Sequence, residues 1–571
     1  MNNRKSKTPF VTRRQALSMI GVCGGASFLN GPVDVLLAGL VDGIFAKAQA
    51  ATTGVQPRNY IYVNLNGGPA RWYWDLPLRP YPSAMAILAN PHVNTRFGGT
   101  GTNAGAPEYH TLSVTRRGVT LDMPTLWGQT IPRVGGGSVP MAELLDNMLM
   151  IRGVNMRMDG HPDNNDKQVR PSAAAPSLNG LVADVSSRPL PAVGLPGGPN
   201  GAFKSGTGVG QVSLSSFNDP LRRILRPFSR TSDGLTEGYL SRRQAMDVAV
   251  NAALRSLGEY AKSSGAGAAS LETVRSSAEG LIRQGIGDVS TEYQTLLTKY
   301  QGLIERCAAE PIPGVTDRPV RYSDLIVLNG YTPQTSVQEG FIRNADVRTV
   351  LRADSRPGNL AAGFAVAEYL IKNGLSSSVS LGSSSIQNLN FEDLRDRAAP
   401  ATAGSNVTGT WGYDEHFGGS VLSVILNSFL YRCLSACLYE FISVLKSNNL
   451  FNESVVQIGA EFSRNPRNDQ SGSDHGWMAN CTSLFSGVID RPIVLGNTVL
   501  DSPYADGTWG AAASVMVDGA NQQLTIGHST STIAHLLRVQ PILSNNGSLV
   551  ELKSGGPLET KIELARNKEG S

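Results

Sequence analysis

Cysteine is scarce in this sequence, with five in 571 residues. One of them, Cys23, falls in an N-terminal apolar stretch, behind a Val22 that suits lipoprotein cleavage poorly. The other four, Cys307, Cys433, Cys437 and Cys481, are too few to staple a chain of this length into a disulfide framework. Cys433 and Cys437 stand one helical turn apart in an apolar segment and read as two small buried side chains, not a metal pair or a bridge. A membrane-spanning run near the N-terminus is also missing, since Ala16 to Phe28 is too short and too Gly-rich for a stable span. No internal repeat and no clean linker divides the chain, which favours one elaborated domain.

What is abundant is glycine and proline, 62 and 32 residues, and with 41% hydrophobic content they indicate a globular protein with long, turn-rich connections. The formal net charge of +4 comes from the N-terminal residues. Removing residues 1–48 takes away six basic and two acidic residues and leaves the remainder balanced, so no basic face points to nucleic acid.

Residues 1–50 read as a cleavable export signal: a basic start, the apolar run, and small residues around Ala46-Lys47-Ala48-Gln49-Ala50. The pair Arg13-Arg14 after Thr12 resembles the twin-arginine signal, although Ala16-Leu17-Ser18 replaces its usual Phe-Leu-Lys continuation. The expected partner during export is the twin-arginine translocase, and the expected location is the periplasm or beyond.

Residues 51–571 are expected to form an α/β domain whose mostly parallel central sheet carries helices on both faces. Tyr60 to Leu65 is β-branched and aromatic and runs into the turn Asn66-Gly67-Gly68-Pro69, and Met148 to Arg152 is a second buried strand. A helix over 360–372 with Gly374 beyond its end precedes a strand at Val379 to Leu381. A helix from about 421 to 446 precedes a strand from Ser454 to Ala460. Between 235 and 310 apolar residues recur at helical spacing, most clearly Leu296, Leu297, Tyr300, Leu303 and Ile304, which marks a helical insertion that packs or shields the sheet. Helices alternating with strands gather ligands beyond the strand C-termini.

Histidine is sparse, with seven residues, so a histidine beside an acid stands out. Asp414-Glu415-His416 and Ser473-Asp474-His475-Gly476 both look like ligand sets, and Glu461 stands at the carboxyl end of a strand. Imidazole nitrogen with carboxylate oxygen suits zinc or another divalent first-row ion, either a pair of ions or one shared between the two clusters. His535 reads as a helix-face residue, and His528, His92 and His110 show no partner by spacing.

The stretch Gly459-Ala460-Glu461-Phe462-Ser463-Arg464-Asn465-Pro466, followed by Gly472-Ser473-Asp474-His475-Gly476-Trp477, resembles the Glu-Phe-Gly-Arg-Thr-Pro and Gly-Arg-Asp-His-Trp segments of the exported bacterial domain-of-unknown-function family 1501. Asn66-Gly67-Gly68-Pro69, Asp146 to Arg152, Pro176-Ser177-Leu178 and Trp411 to His416 match further segments in the family's order. The resemblance implies an alkaline-phosphatase-like fold and metal-dependent hydrolysis of phosphate or sulfate esters, with an anionic small molecule or polymer ester as substrate. It implies Asp414, His416, Asp474, His475 and His161 as metal ligands, Glu461 as a further ligand or general base, and Arg464 as the holder of an anionic oxygen. Ala70 stands where the family pattern has its Ser, and Asn465 and Ser473 replace Thr and Arg. Water is then the expected nucleophile, and a non-catalytic binding protein on the same fold is the competing expectation.

Overall fold

The structure, a computed structural model, describes residues 56–76, 111–188, 190–199, 202–217, 289–310, 318–321, 339–342, 351–390, 408–414, 416, 419–466, 473–499, 511–517, 519–540, 546–553 and 557–562. The expected export signal lies outside these residues, as do His92, His110 and the part of the helical insertion before residue 289.

Ten strands form the central sheet: β1 (Asn59–Leu65), β2 (Met148–Asn155), β3 (Leu190–Gly194), β4 (Val212–Ser213), β5 (Ser376–Ser383), β6 (Ser454–Gly459), β7 (Asn480–Phe485), β8 (Ile493–Leu495), β9 (Ser514–Val517) and β10 (Ala520–Thr525). Their spatial order is β9-β10-β2-β7-β6-β1-β5-β3-β4, with β8 also paired to β2. The sheet is mixed. β1 is parallel to both neighbours, with Ile61 opposite Val379 of β5 and Val456 of β6. The three segments read as strands around Tyr60, Val379 and Val455 are thus direct neighbours. On the other side of β6, β7 is antiparallel to it and to β2, so β2 points the same way as β6. The carboxyl ends of β1, β2 and β6 therefore open onto one edge.

Alternation along β1 divides its side chains between two faces. Ile61, Val63 and Leu65 join a large apolar cluster with α3 (Val289–Ala309), α4 (Leu360–Lys372) and α5 (Gly419–Ser447). Tyr60 and Tyr62 join a second cluster with α2 (Leu178–Val185) and α6 (Ile526–Leu536). Helix ends follow local chemistry: Ser177 Oγ accepts the Gly180 N–H at the start of α2, and Gly374 takes φ +65° just past α4. Within the expected insertion, α3 buries Tyr300, Leu303 and Ile304. It is tied to α4 and α5 by Lys299, whose Nζ lies 2.6 Å from Glu368 and 3.0 Å from Glu440.

One helix among the described residues, Ile425–Ser447, is long and apolar enough to cross a membrane, and it is mostly buried inside the protein. Cys433 and Cys437 lie on it, fully buried and unbridged.

Candidate metal centre

Four chain segments meet at the shared edge: those that follow β1, β2 and β6, and the stretch that carries Asp414 and His416. After β1 the chain turns through Gly67 and Gly68, both at positive φ. No side chain fits there: a Cβ on Gly67 would lie 2.9 Å from the Asp414 nitrogen, and one on Gly68 would lie 2.5 Å from the Phe462 ring. This turn is a cradle. Its Gly67 N–H donates to Glu461 Oε1 at 2.7 Å, and its carbonyls accept from Arg464, at 2.6 Å from Gly67 and 2.8 Å from Gly68. After β2, Arg157 at φ +59° and Gly160 at φ +128° redirect the chain into α1 (His161–Lys167), so that His161 opens that helix. After β6, the hairpin pairing Ser463–Pro466 with Ser473–Gly476 sets Arg464 opposite His475 and Asn465 opposite Asp474.

His161, Asp414, His416 and His475 each bring one donor atom into a group spanning no more than 4.8 Å. The Asp414 carboxylate lies among three Nε2 atoms, 3.1 Å from His416, 3.4 Å from His161 and 3.9 Å from His475. The Nε2 atoms of His416 and His475 face each other at 2.9 Å. Donor atoms held about 2.0–2.1 Å from one ion at tetrahedral angles stand roughly 3.3 Å apart. The observed spacings bracket that value, so the residues present fit a metal ion.

The remaining expected site residues surround this group. Asp474 lies on the far side of His416, its Oδ1 3.5 Å from Nδ1. Glu461 is buried with its Oε1 2.5 Å from His161 Nδ1, and its second oxygen has no partner. Arg464 is also fully buried, binding the Asp414 carboxylate besides the two glycine carbonyls. Its guanidinium stabilises the ligand set and has no face open to an anionic substrate. Ala70 is buried at the start of a short 3-10 turn, its N–H donating to Asn427 Oδ1 at 3.0 Å. The absent serine therefore concerns a position with no access to solvent.

Two further residues shape the site. Asp159 accepts from His475 Nδ1 at 2.6 Å. It has the same Asp-x-His spacing to His161 that singled out Asp414 and His416, and this was the available signal. Phe462 stacks on the His475 ring at 4.0 Å between centroids and meets the edge of His161 at 4.9 Å.

The electrostatics divide the imidazoles. The hydrogen bond to Glu461 raises His161 above its ordinary value, against the opposing effect of burial. Burial pushes His475 below its ordinary value despite the bond to Asp159. For Asp414, burial alone would raise the carboxyl, but the hydrogen bond with His416 and the charge of Arg464 hold it well below the usual carboxylate range. Asp414 is thus an anion ready to meet a cation. The other two described histidines are structural: His528 Nδ1 accepts the Thr525 N–H at the start of α6, and His535 Nε2 accepts the Leu552 N–H.

No protein-family profile, curated protein or solved structure matches the chain.

Proposed function

We propose that the chain is an exported, metal-dependent hydrolase of phosphate or sulfate esters on an alkaline-phosphatase-like α/β fold, related to the exported domain-of-unknown-function family 1501. The observation that supports this reading is the convergence of His161, Asp414, His416 and His475 at one edge of the sheet, partly open to solvent. A divalent ion on these donors, zinc foremost, supplies Lewis acidity and lets water act as the nucleophile at neutral pH. The protein's own part is to hold that donor set. Arg464 keeps Asp414 ionised and in place, and Glu461 orients His161. With Arg464 buried, its expected role on an anionic oxygen falls to the ion itself.

That same burial favours a second reading, a non-catalytic exported protein that uses the centre to bind a partner or polymer. Zinc- or cobalt-loaded protein assayed on aryl phosphate mono- and diesters and an aryl sulfate separates the two. The hydrolase reading expects turnover on at least one ester and its loss in H161A/H475A. Metal-loaded protein inert on all three leaves the binding reading in front.

A further inference from the structure

We propose that the centre takes a single borderline first-row ion on the Nε2 atoms of His161, His416 and His475, and that Asp159 is a positioning residue that aims His475 at it. This rests on the metal-dependent reading above and narrows it to one ion and one ligand chemistry.

Each imidazole has a carboxylate on its Nδ1 side, and the three carboxylates come from separate places in the chain. Glu461 lies 2.5 Å from His161 Nδ1, Asp159 lies 2.6 Å from His475 Nδ1, and Asp474 lies 3.5 Å from His416 Nδ1. An ionised carboxylate only accepts, so where it is within hydrogen-bond reach, at His161 and His475, it places the ring hydrogen on Nδ1 and leaves the lone pair on Nε2. Three Nε2 atoms then point into one space, with those of His416 and His475 only 2.9 Å apart. Lone pairs facing each other at that distance repel unless a proton or a cation lies between them. One cation relieves all three at once.

The same geometry speaks against a pair of ions. Two-metal sites hold their ions about 3.5–4 Å apart, and each ion needs its own donors. Here the donor group spans 4.8 Å in all. Of the acids a second ion would use, Glu461 gives its Oε1 to His161 Nδ1 and Asp474 stands 3.5 Å from His416 Nδ1, both on the outer side of the set. A nitrogen-rich set of three imidazoles and one carboxylate suits zinc or cobalt, where magnesium and calcium prefer an all-oxygen shell.

Asp159 is placed by its turn. Asn155 Oδ1 accepts the Arg157 N–H at 2.8 Å, and the positive φ of Arg157 and Gly160 swings the intervening residues toward the strand that carries His475. With Phe462 stacked on one face of His475 and Asp159 on its Nδ1, that ring is fixed from two directions. Asp159 is also 57% exposed, so replacing it removes one hydrogen bond without opening the core.

The test strips the full-length protein with a chelator and titrates it with Co²⁺, reading visible absorption and counting bound metal by native mass spectrometry. One Co²⁺ per chain is expected. D159N should keep the wild-type circular dichroism and thermal midpoint and bind Co²⁺ about 10–100-fold more weakly. D163N, at an exposed carboxylate on α1 outside the donor group, should bind as wild type. Two tightly bound ions, unchanged affinity in D159N, or an equal loss in D163N would overturn the proposal and leave the hydrolase reading standing. One ion bound by a protein inert on every ester would sustain the proposal while the hydrolase reading fails. Absence of any binding overturns both.

Discussion

At the scale of single residues, the acid–histidine pairs are what the sequence made legible. Asp414, His416, His475 and His161 could be read from adjacency and from their positions after strands, and the structure gathers these four. Asp159 could not be assigned to His475 in this way, because 316 positions separate them and only the fold closes that distance. Glu461 and Arg464 were legible as site residues, but their burial depends on the glycine turn after β1, which lies almost 400 positions away. The His161–Glu461 contact has a measurable pH signature. The folded value of His161 is raised above 6.5, so in metal-free protein the charged pair stabilises the fold fully below about pH 6.5. That stabilisation is lost as pH rises through the folded value. Thermal midpoints recorded in chelator across neutral pH should fall over this window, and H161Q should flatten the step. Metal affinity should climb over the same window, since the ion displaces the proton.

Secondary-structure elements were read with uneven success, for a physical reason. The helix Leu360–Lys372 and the strands β1 and β6 are written in local periodicity and capping residues, and they appear where expected. Pairing direction is not local. Nothing in Asn480–Phe485 marks it as the strand that enters antiparallel between β2 and β6, and that insertion is what makes the sheet mixed there. The turn after β1 was noticed for its composition, yet its work lies in contacts with distant elements. G68A should show this. It places a side chain at φ +61° and against the Phe462 ring, 2.5 Å from the new Cβ. The expected loss is about 1–3 kcal/mol for the backbone conformation alone, read as a lower urea midpoint. A wild-type midpoint would mean that neither the positive φ nor the Phe462 ring resists a side chain at this position.

For the whole molecule, the twin-arginine reading and the fold bear on one another. The donor set is assembled from segments between residues 161 and 475, so it exists only once the sheet has formed. A route that carries folded protein allows any ion to be loaded before export. Replacing Arg13 and Arg14 by Lys should hold the protein in the cytoplasm, as cell fractionation would show. Undiminished delivery would mean that the general secretory route suffices.

The helix Ile425–Ser447 would give a folded-protein route a further consequence. Folded, it is a core element, enclosed by the sheet and by α3 and α4. Threaded unfolded through a pore that opens sideways to lipid, the same segment would be offered to the bilayer as a stop-transfer sequence. Its flanks would then be stranded on opposite sides of the membrane, with Asp414 and His416 before it in the chain and His475 after it. Completing the core before any translocation would remove that hazard.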